Sequence, residues 1–218
     1  MKLKGYLWSA FLVAFISIIG FSYIAILISN HKIIQFDQRV ITFVQGLESP
    51  FLTLIMRFFT YLGSFPSVMV LFIVISYYLY IVLKHRAEFL LFGTVVVGTI
   101  IFNEMLKHFF HRARPDFHRL IEAGGYSFPS GHAMSAFAFY GIVAFLLWRH
   151  IPDQLGRTIL ILVSILFIFI IGISRIYLGV HYPSDIVGGY FASALWLTIA
   201  IWFFQRYKEK QYERSYRS

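Results

Sequence analysis

Three short polar stretches interrupt a very apolar chain, and together their residue types could handle a phosphate group. The first runs from Lys107 to Arg114 and Pro115, the second is Pro129-Ser130-Gly131-His132, and the third joins Ser174 and Arg175 to His181 and Asp185. Lys107, Arg114 and Arg175 supply one point charge and two planar forks, a set suited to a group with several anionic oxygens. Ser130 and Gly131 stand where a helix should begin, and unpaired backbone N–H groups at a helix N-terminus bind anions. Glycine lets that backbone approach closely. The histidines His132 and His181 can then divide a displacement at phosphorus. One attacks as neutral imidazole while the other, protonated, gives its proton to the departing oxygen. Asp185 would hold the attacking ring in one tautomer and stabilise its positive charge. Pro183 restrains Tyr182 from helical geometry. That predicts His181 on a loop and Asp185 on the first turn of the next helix, rather than a simple i,i+4 pair.

The elements that must position these residues follow from composition. Of 218 residues 59% are hydrophobic and 13% charged, and the mean hydropathy is +0.72, so the solvent for most of the chain is lipid. A hydrocarbon core about 30 Å thick needs about 20 mainly apolar residues per helix. Six windows qualify: Gly5 to Asn30, Phe65 to Leu83, Ala87 to Leu106, Gly131 to Trp148, Thr158 to Ser174 and Ile186 to Phe204. The expected fold is all-α, a single integral-membrane domain over residues 1–218 with six spans. The first window follows Lys2 and Lys4 as a secretory signal would. It is longer than an apolar signal core of about 7 to 15 residues and has no small-residue cleavage pattern, so it reads as a retained helix.

Residues 31–64 are too polar to span and too many for a turn. Val40, Ile41, Phe43, Val44 and Leu47 fall at helical spacing opposite Asp37, Gln38, Thr42, Gln45 and Glu48, the pattern of an amphipathic helix in the membrane interface. A second apolar piece, Phe51 to Leu62, follows Pro50, so that interfacial helical structure is expected over about 36–62. The segment is either a plain connector or a lid at the mouth of a lipid-facing site. The basic tail from Gln205 to Ser218 reads as a frayed helix end touching anionic headgroups.

Six spans put both termini on one side. With those termini cytoplasmic, eleven of the nineteen Lys and Arg residues lie inside and eight outside, the direction of the positive-inside bias. The three polar stretches then share the outer face, where that bias alone would not have gathered them. The net charge of +9 is scattered among short loops, which is topology rather than a nucleic-acid surface. Absence of cysteine excludes disulfides, thiolate chemistry and cysteine-based zinc sites. His108, His111 and His118 invite a metal, but no carboxylate or cysteine completes the set. Glu104 lies one turn before Lys107 and can steady it, and Gly188, Gly189, Ala192 and Ser193 suit close helix packing. Tyr177 and Tyr182 read as interfacial aromatics that could also line a headgroup site. Nothing requires an obligate protein partner.

The patterns K-x6-R-P, P-S-G-H and S-R-x5-H-x3-D, present as Lys107 to Pro115, Pro129 to His132 and Ser174 to Asp185, resemble the three-part signature of the type-2 phosphatidic acid phosphatase family. The resemblance implies His181 as nucleophile through a phosphohistidine, Asp185 as its partner and His132 as general acid. It places Lys107, Arg114, Ser130, Gly131 and Arg175 around the phosphate, and it implies no metal or other cofactor. The expected substrate is a lipid phosphate drawn from the membrane. Compact bacterial members act on phosphatidylglycerophosphate, the first expectation here. Undecaprenyl pyrophosphate is the alternative, phosphatidic acid stays open, and a lipid transporter with a dead site is the reading from another class.

Overall fold

The computed structural model describes residues 2–116 and 118–217. The described residues form helices and connectors without a strand. In lipid every backbone polar group must be satisfied within its own segment, so apolar runs of this length become helices. They are α1 (Lys2–Ser29), α2 (Ile34–Gln45), α3 (Pro50–Leu62), α4 (Phe65–Tyr77), α5 (Arg86–Phe110), α6 (Gly131–Trp148), α7 (Gln154–Tyr177) and α8 (Pro183–Arg217). After α4 the chain widens into a π-helical turn over Tyr78–Val82. Six stretches are long and apolar enough to cross a membrane, in α1, α4 with its π turn, α5, α6, α7 and α8. The protein is an all-α, multi-span membrane protein.

α6 is the central helix, packed against α5, α7 and α8, while α1 lies along α8. Val68, Phe92, Val95, Phe139, Ile142, Ala200 and Phe204 form one buried cluster among α4, α5, α6 and α8. Near the polar stretches the packing tightens: a Cβ on Gly188 would run into the Phe128 ring, and one on Gly189 would come 3.2 Å from the Ser130 carbonyl. Small residues here let α8 lie close beneath the start of α6.

Three expectations change. The interfacial region is two helices, and α2 is turned differently from its amphipathic pattern. Asp37 is fully buried together with Ile41, whereas Phe43 and Leu47 are exposed. The inward stripe is Asp37, Ile41 and Val44, because Asp37 finds a cation inside the protein. α3 starts cleanly, with Ser49 as its cap accepting from Leu52 N–H at 3.3 Å and Pro50 in its first turn, and it packs along α7 rather than serving as a bare connector. Finally, the basic tail continues α8 as regular helix to Arg217, while Ser218 lies outside the described residues.

Candidate active site

The C-terminal ends of α5 and α7 and the N-terminal ends of α6 and α8 meet at one end of the bundle, and each brings its polar stretch. α5 stops at His111, which takes a left-handed conformation (φ 48°) and closes the last turn with its N–H on the Lys107 carbonyl. Residues 111–116 and 118–130 then loop over the helix ends. Ser130 caps α6, its hydroxyl accepting from Ala133 N–H at 3.4 Å, so Gly131 and His132 hold the first two helical positions. N–H groups there have no carbonyl to reach within the helix. A Cβ on Gly131 would sit 2.9 Å from Asn103 Oδ1 and 3.7 Å from Lys107 Nζ. Any larger residue would therefore fill the space between the Lys107 ammonium and the helix start. Lys107 is steadied by Glu104 at 3.1 Å, as the spacing suggested.

His181 lies in the loop before α8 and Asp185 in its first turn, as Pro183 dictates, yet the two side chains do meet across four residues. His181 Nδ1 is 3.3 Å from Asp185 Oδ2. On the other edge of the ring Arg114 Nη1 lies 3.0 Å from Nε2, and the same nitrogen donates to the Val180 carbonyl at 2.8 Å. A guanidinium can only donate, so Nε2 accepts and the ring proton belongs on Nδ1, toward the carboxylate. Burial pushes the His181 ring down to about 4, against the opposing pull of Asp185. The imidazole is therefore neutral at physiological pH with its lone pair on Nε2.

Asp185 is fully buried, and both its oxygens are engaged. Oδ2 accepts from the Ser127 hydroxyl at 2.5 Å and Tyr182 N–H at 2.9 Å, and Oδ1 from Arg112 at 2.6 Å. Arg112 reaches on to Asp37 at 2.8 Å, and Asp37 also accepts from the Ser184 hydroxyl and N–H at 2.6 and 2.9 Å. This Asp37–Arg112–Asp185 chain anchors α2 to the start of α8. Arg112, Asp37 and Ser127 were missed by sequence reasoning. Their signal was scarcity: in a chain 13% charged, an Asp in an interfacial helix and a third arginine beside Arg114 each call for a partner.

Arg175, in the last turn of α7, is 5% exposed. Its Nη1 donates to Thr60 of α3 at 2.5 Å, and its Nε is a buried donor with no protein partner among the described residues. Buried donors in native proteins are almost always satisfied, and an anionic oxygen would satisfy this one. Lys107, Arg114 and Arg175 stand with His132 and His181 in the space where the four helix ends meet. α3 roofs that space: a Cβ on Gly63 would lie 3.4 Å from the His132 ring. Tyr177 holds the roof, its hydroxyl 2.8 Å from Thr53 and accepting from Ser49 N–H at 3.2 Å, rather than lining a headgroup site. Tyr182 lies under the Arg112 guanidinium, 4.1 Å from its ring centre. His118 pairs with Glu48 at 3.0 Å, while His108 and His111 pack on Tyr126. Among the described residues these three histidines form no metal-binding group.

Residues 88–209 match the model of the PAP2 superfamily. The chain belongs to that superfamily. It is 30% identical to phosphatidylglycerophosphatase B of Bacillus subtilis, over 78% of this chain and 84% of that one. It is 29% identical to lipid A 4'-phosphatase of Bacteroides thetaiotaomicron, over 70% of each chain. The fold superposes on the crystal structure of the transmembrane PAP2-type phosphatidylglycerolphosphate phosphatase from Bacillus subtilis with a TM-score of 0.80 and 27% identity, covering 90% of this chain and 96% of that one. The protein is thus a membrane-embedded PAP2 lipid phosphatase.

Proposed function

We propose that this PAP2 enzyme removes the terminal phosphate of phosphatidylglycerophosphate by way of a phosphohistidine on His181. The observation that carries the chemistry is the His181 ring, with Nδ1 on Asp185 and Nε2 on Arg114 in a pocket of cations. An incoming phosphate draws the Arg114 guanidinium onto its own oxygens and uncovers the Nε2 lone pair. Nε2 then attacks phosphorus, the P–O bond to the lipid breaks, and His132 protonates the leaving alkoxide. Water next attacks the phosphohistidine with His132 as base, releasing inorganic phosphate and neutral His181. Lys107, Arg114, Arg175 and the N–H groups of Gly131 and His132 hold the non-bridging oxygens, Ser130 fixing that helix start, and concentrate stabilisation where charge develops. Three permanent cations, Lys107, Arg114 and Arg175, supply the charge that the phosphate needs, while Asp185 is committed to His181 and Arg112. The reaction is therefore written without a metal.

The substrate choice rests on the Bacillus phosphatidylglycerophosphatase that matches over most of both chains. A panel of phosphatidylglycerophosphate, undecaprenyl pyrophosphate and phosphatidic acid on purified protein with chelator present tests it. The first should be hydrolysed fastest. Rates within about threefold, under about 1 kcal/mol in transition-state terms, would sink substrate selectivity, and strict dependence on a divalent ion would sink the metal-free mechanism. The enzyme is assigned to the cell membrane with cytoplasmic termini and an outward-facing site. A reporter fused after Ser218 should be cytoplasmic, and one found outside reverses the orientation.

A further inference from the structure

The end of the bundle remote from the histidines carries a second collection of cations that the reaction does not use. Along α8, Lys208 is about 35 Å from Asp185 at about 1.5 Å per residue. There a pocket of about 410 Å³ is lined by Lys84, His85, Arg86, Arg149, His150 and Lys208, with Glu88 at its edge. Glu88 pairs with Lys208 at 3.3 Å and Arg149 at 3.7 Å, and among the described residues it is the only carboxylate paired with these cations. Four permanent positive charges thus face one negative charge. Arg149 and Lys208 also line the end of a much larger groove, about 860 Å³, between α6, α7 and α8. Its walls are apolar, including Phe137, Ala144, Ile165, Ile168 and Leu197, and its volume falls within the range of small-molecule sites, about 300–1,000 Å³. Trp148, under the Arg157 guanidinium at 5.2 Å, and Trp202, under Arg206 at 5.8 Å, mark this level as a membrane interface.

We propose that this composite cavity is a binding site for an anionic phospholipid of the leaflet opposite the active site. The headgroup phosphate sits between Arg149, Lys208 and the 84–86 turn, and an acyl chain runs down the groove between α6 and α7. The two cations shared by both cavities make one amphipathic ligand the fitting occupant. The groove opens onto hydrocarbon, and the excess positive charge at its end selects a negative headgroup over a zwitterionic one. Such a lipid would clamp the ends of α5, α6 and α8 together, adding to the Glu88 ion pairs that already tie them.

The test is thermal unfolding of the full chain in detergent micelles with added phosphatidylglycerol or with phosphatidylcholine of the same acyl chains. Phosphatidylglycerol should raise Tm by a few degrees through preferential binding to the folded state, and phosphatidylcholine should not. The rise should disappear in the double variant Arg149→Gln, Lys208→Gln and shrink in Ile165→Trp, which fills the groove and spares the charges. Hydrolysis of a short-chain soluble phosphate within about twofold of wild type checks that each variant is folded. An undiminished rise in the double variant would place the lipid elsewhere, at the histidines included, and overturns the proposal. So does an equal rise with phosphatidylcholine, or with inorganic phosphate in place of lipid.

Discussion

Both ends of this bundle gather arginine and lysine, and they hold them in opposite ways. At the histidine end each guanidinium is tied into the fold. Arg112 spans two buried carboxylates at 2.6 and 2.8 Å, Arg114 donates to the carbonyls of Gly124, Gly125 and Val180, and Arg175 is seated on Thr60. At the other end Arg149 is more than half exposed, with its nearest carboxylate at 3.7 Å. Transition-state stabilisation needs donors fixed before charge develops, whereas holding a lipid headgroup tolerates movement. Geometry, rather than charge, separates a site fit for chemistry from one fit for adhesion.

The sharpest way to break that contrast is at its centre. His181→Ala should cost about four to six orders of magnitude in kcat, as loss of a nucleophile does elsewhere, with Tm little changed; turnover within tenfold of wild type would remove His181 from the bond-making step. Next in size, Asp185→Asn should lower kcat by about 10²–10⁴ through loss of the correct tautomer. The same variant has a pH signature. Burial lowers the His181 pKa to about 4 while Asp185 raises it. The acid limb of kcat/KM, which reports the free enzyme, should lie near 4 in the wild type and move lower still in Asp185→Asn. The sign follows because protonation removes the attacking lone pair, so activity is present above the folded pKa and lost as pH falls through it. A wild-type limb near 6.5 would mean that the ring is solvated and the buried arrangement is not the reactive one.

Arg112 tests the positioning layer. Removing it leaves Asp37 and Asp185 as buried charges without their cation, a defect that costs about 3–5 kcal/mol. Arg112→Ala should therefore lower Tm markedly as well as kcat. The double variant Arg112→Ala, Asp37→Asn should recover part of the stability and little of the rate, since Asp185 still lacks its partner. Equal recovery of both would make the chain of charges a purely structural clamp.

What the sequence could and could not say divides along the same line. Lys107, Arg114, Ser130, Gly131, His132, Arg175, His181 and Asp185 could be picked out by type and spacing as candidate site residues, and the fold brings all of them to one end of the bundle. The six spans were legible because lipid leaves an apolar run no alternative to helix. Asp37 and Arg112 were not, since their spacing of 75 residues is fixed only by how α2 packs. Periodicity placed Asp37 on the wet face of α2 because a polar residue there is ordinarily solvated; a buried partner overrides that pattern. The cationic pocket was equally hidden, as Lys84 comes from a connector, Arg149 from the end of α6 and Lys208 from within α8, and each looks like an ordinary membrane-flanking anchor when read singly.

The smallest effects come from one conservative change made at both ends. Arg175→Lys keeps the charge but loses the planar fork that reaches Thr60 with one arm and directs Nε inward with another. Losing one fixed donor to the developing charge costs about 10²-fold in kcat, with KM for the lipid changed much less because the ammonium still attracts phosphate. Arg149→Lys alters the same atoms where nothing depends on their direction. An exposed pair at 3.7 Å contributes about 0–1 kcal/mol, so stability, hydrolysis and the phosphatidylglycerol-dependent rise in Tm should all stay near wild type. If the two substitutions cost the same, the cations at the histidine end act through charge alone, and the fixed hydrogen bonds that distinguish it are incidental to the reaction.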